Sequence, residues 1–457
     1  MTEVIKIDCN YENVILITID SLRWDAIFNR DGSVKKELKY FNKIVNNAIN
    51  FKNAFSNGSG TPAAFPSIIS STYPLMYGGY KGIKNNRTTI AEVLQKNGVN
   101  TIGILNNAYL SKYYGYDRGF DIFYEPITKE ISYKKKLMNK LSEFVHKSQF
   151  LLDISIIMNM IIDIKPTYLE ADEIIKSIMG YMFENKKISK PFFLHIHFMD
   201  VHIPYYSTKI DYKKEKISLG IIKKLHFKIL SHPYLKSLLT EDNLIQIKFL
   251  YFLKVQFIDF CLGKLFELFK TKSFLNNTLV ILTSDHGEEF CEHNEFIHKP
   301  KLYNELIHVP LLMYSDKLKD GLIVDDLVEH IDIAPTILKS LGINNYEGFI
   351  GKNLFEVING NNKKEFIISE VAQYPNRLEM NFQLRKTSIR SRQWKFIYDE
   401  GLKKVELYDI INDPNEKNNI SKDNKDLLLE FFRLLLIHQK KEELTNIRKY
   451  IPNRKII

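Results

Sequence analysis

Carboxylate and imidazole side chains directly follow three apolar runs of the sequence. They are Asp20 after residues 13–19, Asp200 and His202 after residues 192–198, and Asp285 and His286 after residues 278–283. Carboxylate oxygens mixed with imidazole nitrogens suit a divalent cation such as Mg²⁺, Mn²⁺, Ca²⁺ or Zn²⁺. Taken alone, Asp20 is equally compatible with capping the next helix, and the tripeptide Asp-His-Gly at 285–287 is common.

The apolar runs have the length and the β-branched composition of buried strands, and helical periodicity lies between them. One such helix opens with a capping box at Thr89 and Glu92 and closes at Gly98, before a strand predicted at 99–105. Strands that alternate with helices form a parallel sheet covered on both faces. Because ligands bind beyond the carboxyl ends of such strands, the side chains that follow different runs are expected to converge at one edge.

The chain has 457 residues, 45% of them apolar and 26% charged, which is typical of a globular protein with a large core. We expect an α/β catalytic domain at 1–364 and a small α+β subdomain at 365–457. In the subdomain, SIRSRQWKFIYDE and VELYDI predict an antiparallel hairpin, followed by a closing helix near 424–440. Lys-, Leu- and Ile-rich helical insertions are predicted near 126–165 and 206–240.

The net charge and the cysteine content limit which partners and which cellular compartment are expected. Sixty-four basic against 54 acidic residues leave a net charge of +10, which favours anionic partners. Cys9, Cys261 and Cys291 lack CxxC spacing, so neither a disulfide framework nor a zinc knot is predicted, and the cytoplasm is the expected location. Neither a secretory signal nor a transmembrane segment is predicted, because the most apolar stretch, at 150–164, is interrupted by aspartates.

Six blocks, in order along the chain, resemble those of the sulfatase family within the alkaline-phosphatase-like superfamily. They are NVILITIDSLRWD from residue 13, TPAAFPSIISSTYP from 61, FFLHIHFMDVHIPY from 192, the long block from 277 that contains SDHGEEF, IDIAPTILKSLGI from 331 and ELYDIINDPNEKNN from 406. The resemblance implies a large, mixed but mostly parallel sheet between helices, with the small C-terminal subdomain beside it. It also implies a metal-dependent enzyme that cleaves sulfate or phosphate esters.

Carried over position by position, the resemblance makes Asp20, Thr61, Asp285 and His286 ligands of one divalent metal ion. It leaves open whether the ion is Ca, Mg, Mn or Zn. Many members of the family have a second aspartate where this chain has Ser21, so one ligand is lost or replaced.

Thr61 stands where sulfatases keep the Cys or Ser that is converted to formylglycine. The family motif is Cys/Ser-x-Pro-x-Arg, whereas this chain has Thr-Pro-Ala-Ala-Phe at 61–65, so formylglycine is not expected. We therefore expect the Thr61 hydroxyl, activated by the metal ion, to act as the nucleophile and to form a covalent intermediate. A helix N-cap role for Thr61, before a proline at the first helical position, is compatible with this chemistry.

Two histidines are assigned to the substrate by the same resemblance. His202 matches the family histidine that contacts the leaving or transferred group, and His298 matches a later cationic contact. Both are expected to stabilise an oxyanion or to protonate the leaving group. Together with Asp200 they are also a candidate set for a second cation.

Arg23, just beyond the first strand, is expected either to bind a substrate oxyanion or to form an ion pair. His293 and His308 are expected to be structural or solvent-facing. The basic run at 134–136 is expected to be a solvated helix face, with steering of a lipid-linked or polymeric substrate as the alternative.

The sequence thus predicts a hydrolase that cleaves an anionic sulfate, phosphate or phosphonate ester, with phosphorus esters placed ahead of sulfate. The substrate is expected to be glycan- or lipid-linked rather than nucleic acid, with peripheral membrane contact as an option. A phosphoryl or phospho-alcohol transferase acting on a glycan or lipid acceptor is the first alternative. A binding protein without catalytic activity on a sulfatase fold is the second.

Overall fold

The computed structural model describes residues 10–83, 86–125, 166, 168–180, 189–231, 239–318, 321–344, 346–376 and 379–448. The insertion predicted at 126–165, the basic run at 134–136 within it, and Cys9 lie outside these residues. The second insertion is described except for residues 232–238, and it contains the predicted helical structure at Leu219–Ser231.

The described residues form strands and helices that we number in chain order. Strands β1 to β14 span Asn13–Ile19, Ala48–Phe55, Asn100–Leu105, Ile122–Tyr124, Phe192–Phe198, Thr278–Ser284, Glu289–Phe290, Phe296–Ile297, Leu311–Tyr314, Ile323–Glu329, Ile367–Asn376, Glu379–Arg390, Trp394–Asp399 and Lys404–Asp409. Helices α1 to α11 span Trp24–Ile27, Lys39–Val45, Thr61–Ser70, Ile90–Lys96, Ala171–Ile178, Leu219–Ser231, Glu241–Thr271, Asn304–Ile307, Ile333–Ser340, Leu354–Ile358 and Lys425–Arg448. Short 3-10 helices lie at Met76–Gly78, Ala108–Leu110, Lys112–Tyr114, His330–Asp332 and Ser421–Asp423.

Within the described chain, eight strands form one sheet in the order β10-β2-β9-β6-β1-β5-β3-β4. The pairs that involve β9 are antiparallel, and the other pairs are parallel. At the end of β1, Ile19 is in register with Phe198 of β5 and with Ser284 of β6. The residues that follow these three strands therefore leave the sheet at the same edge, as the sequence predicts.

Helices cover both faces of this sheet. All residues of β1, β5 and β6 are buried. Since strand side chains alternate between faces, Ile17 packs in the cluster that contains Leu262 of α7, whereas Leu16 packs in the cluster that contains Ile337 of α9. This double coverage explains why the central strands appear in the sequence as continuous apolar runs.

The C-terminal part contains an antiparallel sheet, in the order β11-β12-β13-β14, that packs against α11. The predicted hairpin is confirmed as β13 and β14. The segment 388–400, taken above as one arm of that hairpin, instead divides between β12 and β13, because the chain turns where the Ser391 N–H donates to the carbonyl of Trp394 at 2.8 Å. The boundary between two domains at residue 364 stays a prediction.

In the part of the chain that the structure describes, no helix is long and apolar enough to cross a membrane. Cys261 is a free, buried cysteine, and Cys291 is partly buried.

The capping box predicted at the start of α4 is present in the structure. Thr89 Oγ1 accepts from the Glu92 N–H at 3.2 Å, and the Thr89 N–H donates to Glu92 Oε2 at 2.9 Å. We expect Thr89→Ala to lower the free energy of unfolding by about 1 kcal/mol, measured by urea denaturation, because it removes the oxygen that binds this N–H. Thr89→Ser keeps that oxygen and is the control; equal stability of the two variants would refute the assigned cap.

Candidate functional site

The predicted quartet Asp20, Thr61, Asp285 and His286 meets at the carboxyl edge of the large sheet. Thr61 Oγ1 donates to Asp20 Oδ2 at 3.1 Å and lies 3.4 Å from His286 Nε2. His286 Nε2 is 3.6 Å from both Asp20 Oδ1 and Asp285 Oδ2. Asp20, Asp285 and His286 are fully buried, and Thr61 is 4% exposed. Residues from three distant stretches of the chain therefore share one buried site.

Hydrogen bonds between the ends of β1 and β6 fix the two carboxylates. Ser21 has a left-handed backbone with φ of 59°, and its N–H donates to Asp285 Oδ1 at 3.3 Å. Its hydroxyl donates to Asp20 Oδ1 at 2.8 Å. Ser284 Oγ accepts from the Leu22 N–H at 2.9 Å. At the position where many sulfatases have a second aspartate, Ser21 thus orients Asp20 and offers no carboxylate of its own.

The tautomer of His286 follows from its neighbours. Nδ1 lies 2.7 Å from the carbonyl oxygen of Gly287, which only accepts, so Nδ1 carries the proton. In the neutral ring, Nε2 carries the lone pair and faces the carboxylates, as in a metal-binding histidine. The loop admits no larger residue at 287, because a Cβ there would lie 2.0 Å from the carbonyl oxygen of Glu305.

Thr61 is the first residue of α3, and its side chain does not cap the helix. The N-cap position belongs to Gly60, and Pro62 is the second helical residue rather than the first. The Thr61 hydroxyl instead donates to Asp20. The first turn of the helix packs tightly on the preceding loop, because a Cβ on Gly58 would lie 2.5 Å from the Cβ of Ala63. This packing holds the Thr61 hydroxyl beside the carboxylates.

The two carboxylates have opposite electrostatic environments. Burial and the charge of Asp20 hold the pKa of Asp285 well above its usual range. Burial would also raise the pKa of Asp20, but the imidazoles of His202, His197 and His286 outweigh it and hold that pKa well below its usual range. A pair of buried acids of this kind requires a proton or a cation between them.

Two further side chains that the sequence reasoning missed complete the site. His197 of β5 places Nε2 3.5 Å from Asp20 Oδ2, and its Nδ1 is 2.9 Å from Thr18 Oγ1. Asn107, just beyond β3, donates to Asp20 Oδ2 at 3.0 Å and lies 3.5 Å from Thr61 Oγ1. The sequence feature that could have indicated His197 is the presence of two histidines, two residues apart, in an otherwise apolar strand.

These residues fit a divalent cation. Ligating atoms of Asp20, His197 and Asp285 lie within 4.8 Å of one another. Asp285 Oδ2 and His197 Nε2 are buried and make no hydrogen bond with the described part of the chain. Carboxylate oxygens, imidazole nitrogens and the hydroxyl of Thr61 are the donors that Mg²⁺, Mn²⁺, Ca²⁺ and Zn²⁺ accept, and the set does not discriminate among these ions.

The imidazoles of His202 and His298 lie against this cluster. Their ring centroids are 5.2 Å apart, and the His298 ring is 4.5 Å from that of His286. Burial lowers the pKa of both His202 and His298, and His286 lowers the pKa of His298 further. His298 is therefore a neutral contact at neutral pH rather than the cationic one expected above. Its Nδ1 lies 3.2 Å from Glu288 Oε1, a carboxylate whose pKa burial raises to about 7.

The set Asp200, His202 and His298, the candidate for a second cation, is not brought together among the described residues. Asp200 Oδ1 instead accepts from the Ala171 N–H at 3.1 Å, at the start of α5. Its carboxylate lies near Lys254, and burial raises its pKa to about 7. Asp200 thus belongs to the packing of α5 on the sheet.

Arg23 is bound by protein groups, so the ion-pair alternative is the one observed. Its Nε and Nη2 donate to the two oxygens of Asp25 at 2.8 and 2.7 Å. Its Nη1 donates to Glu292 Oε1 and to the Glu288 carbonyl, both at 2.9 Å. These contacts give no support to the expected role in binding a substrate oxyanion.

His293 and His308 have the structural surroundings that the sequence predicts. His293 Nδ1 lies 2.5 Å from Glu305 Oε1, and its Nε2 lies 3.0 Å from the Glu416 carbonyl. The His308 ring stacks on Trp24 and on Phe55, with centroid distances of 4.7 and 4.8 Å.

Known proteins match nearly the whole chain. A family model described as Sulfatase matches residues 12–343, and one described as N-sulphoglucosamine sulphohydrolase, C-terminal, matches residues 291–445. Arylsulfatase K of Mus musculus is 26% identical over 457 residues, which span 90% of this chain and 76% of the relative. Arylsulfatase K of Homo sapiens is 25% identical over 447 residues, with 90% and 78% covered.

Solved structures confirm the predicted fold class. The phosphonate monoester hydrolase of Agrobacterium radiobacter is similar with a TM-score of 0.70 at 18% identity, covering 94% of this chain and 96% of that one. A protein solved in complex with its substrate D-glucosamine-2-N,6-O-disulfate is similar with a TM-score of 0.67 at 17% identity, covering 95% and 98%. At such identities the likeness establishes the fold.

Because the two acids are buried together, we expect the order of stability of the wild type and Asp285→Asn to depend on metal. Without divalent metal, the folded wild type holds a proton on Asp285 that the unfolded chain releases above about pH 4, so its stability falls as the pH rises from there. Asparagine removes this dependence, and we expect the variant to be the more stable protein at pH 8 in chelator. With excess divalent metal the order reverses, because the ion stabilises only the wild type. Thermal unfolding measures both states, and an unchanged order would contradict the site.

Proposed function

The chain belongs to the sulfatase family and is a hydrolase of sulfuric or phosphoric esters, and from this premise we propose that the hydroxyl of Thr61 is its nucleophile. The observation that carries the proposal is the position of Thr61 Oγ1, which is buried, 3.1 Å from Asp20 Oδ2 and 3.4 Å from His286 Nε2. No residue at 61–65 of this chain supplies the cysteine or the arginine of the formylglycine motif.

A divalent cation held by Asp20, Asp285 and His286 would supply the positive charge that lowers the proton affinity of the Thr61 hydroxyl. Asn107 donates to the same oxygen, Asp20 Oδ2, at 3.0 Å and helps to hold the carboxylate in place. The start of α3 adds the partial positive charge of a helix N-terminus, which favours the anionic group under attack.

The reaction proceeds in two displacements. First, Thr61 Oγ1 gives up its proton and forms a bond to sulfur or phosphorus while the bond to the leaving oxygen breaks; that oxygen takes up a proton and departs as the alcohol, which leaves an ester on Thr61. Second, water gives up a proton and attacks the same centre, the bond to Oγ1 breaks, and Oγ1 takes up a proton, which regenerates the threonine. A threonine ester has no internal route to expel the anion, so the second displacement needs a base.

We assign that base to His298. Its side chain is 23% exposed, so solvent water reaches it, and its lowered pKa keeps it neutral. Glu288 binds Nδ1 at 3.2 Å, which leaves Nε2 to take a proton from the attacking water. His202, whose ring lies 5.2 Å from that of His298, lines the same pocket.

Phosphate and phosphonate monoesters are the preferred substrates in this proposal, ahead of sulfate esters. Phosphorus readily accepts a second nucleophile, whereas sulfatases release sulfate through the aldehyde chemistry of formylglycine that Thr61 lacks.

Thr61→Ala should lower kcat on nitrophenyl phosphate or on nitrophenyl phenylphosphonate by at least about 10³-fold, since it removes the attacking atom. Thr61→Ser keeps a hydroxyl and should retain measurable turnover, which separates chemistry from packing. Both variants are expected to bind one equivalent of metal at this site when metal is in excess, as the wild type does, because Asp20, Asp285 and His286 remain. Full activity in Thr61→Ala would exclude the proposed nucleophile.

His298→Ala should slow the second displacement by about 10²- to 10⁴-fold and leave the first intact. Stopped-flow measurement of nitrophenol release should then give a burst of one equivalent per protein chain, followed by a slow steady state. Glu288→Gln should give a weaker form of the same behaviour. Loss of the burst together with the steady-state rate would assign His298 to the first step instead.

A further inference from the structure

A second buried group of metal-ligating side chains lies outside the site described above. It consists of Glu370 on β11 and of His438 and Glu442 on α11. One ligating atom from each of the three lies within 4.8 Å of the others. Their side chains are 0%, 3% and 4% exposed. No step of the proposed reaction uses them.

The positions of these residues suit metal binding. His438 and Glu442 are four residues apart on one helix, so their side chains lie on the same face. Glu370 approaches from the neighbouring strand, and its Oε2 lies 2.8 Å from His438 Nε2. Its other oxygen accepts from the Leu75 N–H at 2.7 Å, which holds the carboxylate in place.

An oxygen of Glu442 that lacks a hydrogen-bond partner in the described part of the chain is a second indication of a cation at this group. One of its oxygens, Oε2, accepts from Arg385 Nη1 at 2.7 Å. The other, Oε1, is buried and has no hydrogen-bond partner among the described residues. A buried carboxylate oxygen without a donor is costly, and a cation between the three side chains would remove that cost.

The charges around the group also leave room for a cation. Arg385 interacts with Glu370, Glu442 and Glu400, and it donates to the last of these at 2.6 Å. Buried Arg87 also interacts with Glu370, and its hydrogen bonds go to backbone carbonyls. Among these described side chains, three carboxylates therefore face two arginines.

We propose that Glu370, His438 and Glu442 bind one divalent transition-metal ion, Zn²⁺ or Mn²⁺, which ties α11 to β11. Two carboxylate oxygens and one imidazole nitrogen match these ions better than they match Ca²⁺. A cavity of about 720 Å³ beside α11 is lined by Tyr73, Lys441 and Leu444. The Tyr73 ring packs on that of His438 at 4.7 Å.

The competing state is a proton in place of the metal ion. Burial and the charge of Glu370 raise the pKa of Glu442 to about 9, so a chain without metal keeps this carboxyl protonated at neutral pH. The two states differ in stoichiometry, because only the metal state adds an equivalent of metal beyond that of the proposed catalytic site.

The test uses the full-length protein, stripped with chelator and titrated with Zn²⁺ alone and with Mn²⁺ alone. Isothermal titration and elemental analysis are expected to give one equivalent more for the wild type than for Glu442→Gln or His438→Ala. Affinity at this site should fall at least about tenfold in both variants. Glu443→Gln changes the exposed neighbour of Glu442 and should bind as the wild type does.

Measuring ester hydrolysis distinguishes this proposal from the one that makes Thr61 the nucleophile. Glu442→Gln is nearly isosteric and removes a buried acid, so it is expected to fold and to keep turnover within about threefold while losing the extra equivalent and its thermal stabilisation by Zn²⁺. Equal stoichiometry in the wild type, Glu442→Gln and Glu443→Gln would overturn the metal site and assign the group to the proton. That result would leave the role of Thr61 untouched.

Discussion

The repulsion between two buried carboxylates, Asp20 and Asp285, is the constraint on which the rest of the site depends. The parallel register of β1 and β6, with Ile19 beside Ser284, forces these side chains together where water is excluded. The side chains of Thr61, His197 and His286 beside this pair carry atoms that can bind a cation. This pair of buried carboxylates lowers the stability of the fold, and the packing of the surrounding sheet outweighs that cost.

The loops around this centre hold one another in place, and the surroundings of Arg23 show how. Its guanidinium binds Asp25, Glu292 and the backbone carbonyl of Glu288, so it links the loop after β1 to the loop after β6. The Glu288 side chain in turn orients His298. A residue expected to bind substrate therefore supports the histidine that we assign as the base.

The strands around the site and the residues Asp20, Asp285 and His286 were accessible from the sequence, because apolar runs and the side chains that follow them are local signals. Thr61 was assigned from the resemblance to the sulfatase family. His197 was not accessible from the sequence, since a histidine inside an apolar strand resembles a core residue until the register shows Thr18 and Asp20 beside it. Asn107 lies in a loop whose path depends on tertiary packing. The division of segment 388–400 between two strands also depends on a turn at Ser391 that composition does not mark.

The central claim is that Thr61 carries the transferred group in mid-reaction. Rapid acid quench of the metal-loaded wild type during turnover of a phosphate monoester, followed by proteolysis and peptide mass spectrometry, examines this directly. The account predicts a phosphoryl group on the peptide that contains Thr61, absent when substrate is omitted. A quenched enzyme that turns over yet carries no such adduct at any time, or carries it on another residue, would contradict the account.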